Sequence, residues 1–351
     1  MSQIATKVTL QDVARTCGLS SSTVSRILNG SKAAGFTAMD DTRRQVEEVA
    51  AKLGYRLNHA AKATATGRFG CIAVLMSTFA ARSLYSPLLI DGIQDALKDG
   101  EMHLAIGSMP DARLEESGFV PRILQNWMAD GLLINYNAMI PPRMKQLLLE
   151  HHLPSVWVNS KHESNCVYPD DFSAARDLTQ KLLELGHKRI AYVNCVTGTR
   201  KAAWHYSPHD RYEGYAVAMQ GAGLQPRLIA GEEAVDRQKR VEFLRPVLSA
   251  PDAPTATICY SPEVAGAVLY TSAVLGLSVP RDLSIATFSV SLFFEVGLEV
   301  ATAIIPEFQL GQVATEMLLR VIARPQLKAR PAVVPFGFER GQTIGPVKEG
   351  A

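Results

Sequence analysis

The sequence predicts a small all-α helix-turn-helix headpiece followed by a larger α/β body of doubly wound parallel sheets. Three observations carry this expectation. Residues 19–29 form a short amphipathic stretch whose outward side is almost all hydroxyls, and a second short amphipathic stretch ends at Gly18 just before it. From residue 70 onward, short apolar runs alternate with amphipathic ones in strict β-α order, which is the pattern of buried parallel strands and crossover helices. Charge is divided the same way: of 36 Lys+Arg and 34 Asp+Glu, residues 1–68 carry ten and five (+5), leaving 26 and 29 (−3) for the rest. The basic end is the end expected to meet nucleic acid.

Thr9 can cap a first helix in which Leu10, Val13, Ala14 and Cys17 recur at i, i+3, i+4 and i+7, and Gly18 stops it. Ser20 then caps a second helix. Val24, Ile27 and Leu28 of that helix face inward, while Ser21, Ser22, Ser25, Arg26 and Asn29 face outward. A merely solvated face would carry Glu/Lys pairs. Small hydroxyls with one Arg and one Asn instead suit a helix lying close to phosphates and base edges. Residues 30–36 read as a loop, and a third helix, capped at Thr37 or Asp40, carries Val46, Val49, Ala50 and Leu53 on its apolar face before Gly54 closes it.

In the body, residues 72–76, 103–106, 131–135, 155–158, 190–193, 256–259 and 283–286 read as buried parallel strands, with helices over about 87–97, 174–185 and 262–275 between them. Doubly wound sheets place ligands at the carboxyl ends of their strands. A chain of 351 residues with 47% hydrophobic content can bury a core of that size.

The five cysteines, Cys17, Cys71, Cys166, Cys195 and Cys259, stand singly and without metal-ligand spacing, so reduced thiols and a cytoplasmic setting are expected. The N-terminus lacks an apolar signal core, and no window approaches a membrane span. There is no G-x-S-x-G, Walker loop, Rossmann G-x-G-x-x-G or metal cluster, so no catalytic residue, metal or cofactor is assigned, although a two-lobed body could bind a substrate as readily as an effector. His187 reads as a structural imidazole in a helix-to-strand turn, and the pair Asp170-Asp171 as the cap of a helix beginning near Phe172. Residues 204–210 read as a loop over the ligand cleft.

Residues 8–14 (Val-Thr-Leu-Gln-Asp-Val-Ala), then Gly18-Leu19-Ser20, then residues 23–29 (Thr-Val-Ser-Arg-Ile-Leu-Asn) resemble the headpiece of the lactose/galactose-repressor (LacI/GalR) family. More loosely, residues 87–93, 130–134, 185–191 and 211–215 resemble its effector domain, a two-lobed periplasmic-binding-protein-like fold. The resemblance implies a headpiece over 1–57, a hinge over 58–68 and an effector-binding and dimerisation domain over 69–345. Lobe 1 would take about 69–168 and 306–333, and lobe 2 about 169–305 and 334–342.

It further implies that Ser21, Ser22 and Arg26 read bases while Thr9, Ser20, Thr23, Ser25 and Asn29 hold the DNA backbone. In the hinge, Asn58, Ala61, Lys62 and Thr64 would meet the minor groove. Leu57 and Thr64 depart from the family, which commonly has Pro and a wedging Leu there, so a sharp DNA kink is not expected. Ser77, Tyr85, Trp157, Asn159, Tyr168, Trp204, Arg211, Ser261 and Ser289 would line or cover the effector cleft.

The implied partners are double-stranded operator DNA, a small-molecule effector and a second copy of the chain, with a tetramer left open and no membrane. The implied function is a repressor whose operator affinity is set by a small polar effector. With Arg211 kept and several usual acidic positions replaced, a sugar derivative carrying an acidic or acylated group is expected over a plain neutral sugar. The alternatives are an effector-independent regulator with a degenerate pocket, an enzyme on the two-lobed fold, and a transport-type binding protein, which the headpiece and the missing signal peptide oppose.

Overall fold

The computed structural model describes residues 8–28, 40–55, 68–79, 82–83, 85–100, 102–109, 113, 116, 129–197, 199 and 205–348. They fall into two units, residues 1–69 and 70–351.

In the first unit, α1 (Leu10–Cys17) opens with a capping box: Asp12 N–H donates to Thr9 Oγ1 at 3.3 Å and Thr9 N–H donates to Asp12 Oδ2 at 2.9 Å. These bonds from Thr9 hold the Asp12 carboxyl below its ordinary range. Gly18, at φ 68°, ends the helix in the left-handed conformation, and Leu19 N–H returns to Ala14 O. α2 (Ser21–Leu28) and α3 (Asp40–Leu53) complete the three-helix unit. Its core is Val13, Ala14, Val24, Ile27, Val46 and Ala50, with Val49, Leu53 and Tyr55 packed against them. Tyr55 therefore belongs to the headpiece core.

In the second unit, six parallel strands form one sheet: β1 (Cys71–Ser77), β2 (His103–Met109), β3 (Gly131–Asn135), β4 (Ser155–Val158), β5 (Cys166–Pro169) and β12 (Ala332–Val334), in the order β12-β5-β4-β3-β1-β2. Ile72, Val74 and Met76 face one core while Ala73 and Leu75 face the other, so both faces of the sheet are covered. The run at residues 103–106 does form a strand, but β2 is the sheet's edge and is mostly exposed rather than buried.

The second sheet is built from β6 (Ile190–Asn194), β7 (Arg227–Ala230), β8 (Ala256–Cys259), β9 (Ser284–Ser289), β10 (Phe293–Glu295) and β11 (Leu298–Ile304), in the order β10-β11-β9-β8-β6-β7. β13 (Gly337–Glu339) pairs antiparallel with β11. The chain passes between the sheets after Pro169, after Ile304 and between Val334 and Gly337, so each lobe is completed by a late segment.

Each lobe has one close helix crossing set by glycine. In lobe 1, α4 (Pro87–Leu97) crosses α10 (Glu307–Ala323), where a Cβ on Gly92 would overlap the Phe308 carbonyl and one on Gly311 the Leu89 carbonyl. In lobe 2, a Cβ on Gly214 of α7 (Ser207–Gly221) would overlap the carbonyl of Phe172 in α6 (Asp171–Glu184). Remaining elements are α5 (Pro142–Glu150), α8 (Arg240–Leu248) and α9 (Pro262–Val274). His187 is 2% exposed and ties three segments together, with Nδ1 3.0 Å from Thr255 Oγ1 and Nε2 3.1 Å from Ser284 Oγ and 3.0 Å from the Gly345 carbonyl. Its role is structural.

Two predictions follow from this packing. Gly92→Ala must push α4 off α10 and is expected to cost about 1–3 kcal/mol in urea unfolding, whereas Gly221→Ala, where a Cβ meets nothing within 4 Å, leaves stability unchanged or raises it by ~0.4–1 kcal/mol. Equal effects of the two would refute the crossing as the constraint. The second concerns pH. Burial lowers His187 and His205, and takes His162 down to about 4, so unfolding gives each of these imidazoles a higher pKa than folding does. Between the folded values and about 6.5 the unfolded chain binds more protons. This contribution is therefore complete above pH ~6.5 and falls as the pH drops below it, for His162 down to its folded value of about 4, by up to ~1.4 kcal/mol per pH unit for each group. Urea titrations between pH 7.5 and 5 should give a shallower dependence for His187→Gln than for the parent. An unchanged slope would show that His187 does not titrate in this window.

Candidate functional site

The first candidate surface is the outward side of α2. Ser20 caps it: Thr23 N–H donates to Ser20 Oγ at 3.1 Å, and Ser20 Oγ lies 2.9 Å from Ser22 Oγ and 2.8 Å from Thr23 Oγ1. Val24 and Ile27 are buried, while Ser22 and Arg26, one turn apart, are exposed, and Ser21, Thr23 and Ser25 are half-buried beside them. The helix end thus presents a cluster of hydroxyls and unpaired backbone N–H groups, followed by a guanidinium. Thr9 is exposed at the start of α1, where its hydroxyl serves the capping box. Asn29 and the hinge residues Asn58, Ala61, Lys62 and Thr64 lie outside the described residues, as does Trp204.

The second candidate is a cavity of about 450 Å³ at the carboxyl ends of the strands, between the two lobes. Of the residues expected there from the sequence, it brings together Asn159, Arg211, Ser261 and Ser289. Asn137 and Glu307 of lobe 1, and Asp171, Thr197, His205, Ser207 and Tyr260 of lobe 2, add to its polar lining. Arg211 is 6% exposed and Asp171 1%; Arg211 Nε donates to Asp171 Oδ1 at 2.6 Å and a terminal nitrogen donates to the Tyr260 carbonyl at 2.8 Å. The guanidinium also lies 4.4 Å from the Phe288 ring centre and 5.1 Å from that of Tyr260. Asp170, not Asp171, caps α6, accepting from Ser173 N–H at 3.1 Å. Asp171 is thereby left for the arginine.

Asn159, at φ 54°, reaches from lobe 1 to lobe 2: its carbonyl lies 3.1 Å from His205 Nε2, and its Oδ1 accepts from the Tyr206 hydroxyl at 2.8 Å. Lys161 on the same loop pairs with Asp210 of α7, and its ammonium lies 5.1 Å and 4.9 Å from the Tyr168 and Tyr206 ring centres. Ser207 N–H donates to His205 Nδ1, which places the imidazole proton on Nε2, toward Asn159. Burial lowers His205 and raises Tyr206 well above its ordinary value, so His205 is neutral and the Tyr206 phenol keeps its proton at neutral pH. Burial also raises Glu307, opposed by a hydrogen bond from Ser86.

The other expected cleft residues lie elsewhere. Trp157 lines a separate lobe 1 cavity of about 570 Å³, its ring 4.3 Å from that of His162. Strand parity explains this, because Val158 faces the sheet-helix core and Trp157 points the opposite way. Tyr168 packs edge-on against Tyr206 at 5.8 Å and is not in the cavity lining. Ser77 is buried at the end of β1, accepting from Phe79 N–H, and Tyr85 is 57% exposed; neither lines the cavity. Among the described residues no group of three metal-ligating side chains occurs, and no helix is long and apolar enough to cross a membrane.

Comparison with known proteins matches residues 9–58 to the family described as bacterial regulatory proteins, lacI family, and residues 179–344 to a periplasmic binding protein-like domain. Similar relatives include the HTH-type transcriptional regulator RegA of Clostridium saccharobutylicum, 26% identical over 95% of this chain and 99% of that protein. Catabolite control protein A of Priestia megaterium is 25% identical over 96% and 99%. Among solved structures, the lac repressor dimer bound to operator and the anti-inducer ONPF matches with a TM-score of 0.75 at 20% identity, over 96% of this chain and 98% of that one. A complex of the transcriptional regulator CelR with cellobiose matches at 0.61 and 21%, over 96% and 99%. The match thus runs through both the headpiece and the two-lobed body, in the order in which they stand here. The chain resembles the lacI family of bacterial regulatory proteins over residues 9–58 and is similar to a transcriptional regulator over nearly its whole length.

Proposed function

We propose that this protein is a cytoplasmic, homodimeric transcriptional repressor that binds a two-fold operator and whose DNA affinity is set by a carbohydrate held between its lobes. The observation that carries the reading is the joint presence of a helix exposing Ser22 and Arg26 and a cleft lined from both lobes. One headpiece offers few contacts, and two-fold pairing doubles both phosphate neutralisation and base readout. In this reading Ser21, Ser22 and Arg26 read bases, with Arg26 gripping guanine N7 and O6, and the hydroxyls of Thr9, Ser20, Thr23 and Ser25 fix register on phosphates.

The interlobe position of the cleft supplies the coupling. A ligand that contacts both lobes binds one degree of closure better than another, and so biases the dimer between DNA-competent and incompetent states. The cellobiose and ONPF complexes of the similar regulators support a sugar as that ligand. In this reading the protein acts by binding rather than by catalysis.

Selection of random duplexes by the full-length chain at moderate salt is expected to enrich a pseudo-palindromic site. Recovery of no two-fold sequence would overturn the proposal. On that site, Arg26→Ala should cost ~1–3 kcal/mol per lost bidentate contact and relax preference at one base pair in each half-site. An equal loss of affinity for operator and random DNA would instead make Arg26 a phosphate contact.

A further inference from the structure

Among the described residues, four buried side-chain polar atoms have no hydrogen-bond partner: Asn137 Oδ1, Asp171 Oδ2, Ser261 Oγ and the Tyr192 hydroxyl. Three of the four belong to residues that line the interlobe cleft. Buried polar groups are ordinarily satisfied, and an ionised carboxylate oxygen left without a donor bears its full desolvation penalty. A cluster of such atoms in one cavity marks what its occupant must supply.

These unpartnered buried atoms of the cleft are mostly acceptors. Carboxylate and amide oxygens accept only, and a serine hydroxyl can do either. Arg211, the one group in the lining suited to holding an acidic ligand, already has Nε on Asp171, another nitrogen on the Tyr260 carbonyl and its face over Phe288. The charged groups of the lining are two carboxylates, Asp171 and Glu307, against that single guanidinium. Lys161 is paired with Asp210 and is not part of the lining. A ligand carboxylate or phosphate would therefore enter as a third negative charge and meet acceptors. The acidic sugar expected from the retained arginine is disfavoured by the arginine's own pairing.

We propose that the cleft selects a sugar bearing a protonated amine, whose ammonium is held by Asp171 Oδ2 while Asn137 and Ser261 take neighbouring hydroxyls. An ammonium brings three donors and the charge that the lining lacks. The proposal rests on the reading of this cleft as the effector site, and it names the chemical class of the effector.

The test is binding to the full-length chain, by calorimetry, of isosteric sets: glucose, glucosamine, N-acetylglucosamine and glucuronate, with the corresponding galactose and mannose sets. In the set whose stereochemistry fits, the free amine should bind at least about tenfold tighter than its neutral and acidic counterparts. For the unaltered protein, that advantage should fade as the pH is raised until the amine loses its proton. Asp171→Asn, confirmed to be folded by circular dichroism, should bring the ratio of amine to neutral-sugar affinity toward one. If the neutral or acidic member binds as tightly as the amine, the amine proposal is overturned and the sugar-effector reading stands. If no member of any set binds, both are overturned.

Discussion

The body of this protein depends on how it keeps one guanidinium buried. Arg211 is 6% exposed, and an arginine in that position remains charged and must be surrounded by acceptors. Asp171 supplies one at the first turn of α6, the Tyr260 carbonyl supplies a second at the carboxyl end of β8, and the rings of Phe288 and Tyr260 cover the planar face. Three segments distant in sequence are thereby fixed around α7. Asp171 also stands at a helix N-terminus, where the backbone dipole favours its charge. Removing either partner would leave a buried unpaired charge, the costly half of such a pair.

The floor of the cleft in lobe 2 is therefore rigid, and the adaptable part is the contact across to lobe 1. That contact is small: the Asn159 carbonyl and amide against His205 and Tyr206, Lys161 against Asp210, and the Tyr168 ring edge-on against that of Tyr206. Its hydrogen bonds could be exchanged for bonds to a ligand or to water at modest net cost. The apolar cores, in contrast, stay within each lobe, on the two faces of each sheet. Closely packed lobes joined by a few exchangeable polar bonds are the physical form of a body that can alter closure without unfolding.

Much of this architecture was legible because both faces of each central strand are apolar. Runs such as 72–76 and 190–193 have no other stable fate in a chain of this kind. β5, β7 and the strands from β10 to β13, except the longer β11, have only three or four residues each, too few for a period to declare itself. An apolar run also does not distinguish centre from edge, which is why β2 was expected to be buried. Trp157 is expected in the cleft through the family resemblance alone, and the four residues 155–158 are too short a run to declare which face of the sheet each takes. Arg211 lines the interlobe cavity, but its partner was not foreseen. Two adjacent acids announce one helix cap; they do not announce that the second pairs with a residue forty positions away.

The headpiece shows the same division between what sequence can and cannot specify. Among the described residues its six buried core side chains are all aliphatic, and those that α2 contributes, Val24 and Ile27, carry no polar atom. The polar side chains of α2 are consequently on its outside or at its end, and Ser20 satisfies the first turn. Serine hydroxyls rotate and accept or donate, so they tolerate many bases, whereas a guanidinium is fixed in its preference. In the proposed reading, discrimination on this helix falls chiefly on Arg26, with the serines setting how closely the helix approaches the groove. A surface that discriminates so sparingly gains specificity mainly by repetition, which is the physical argument for two headpieces acting on one site.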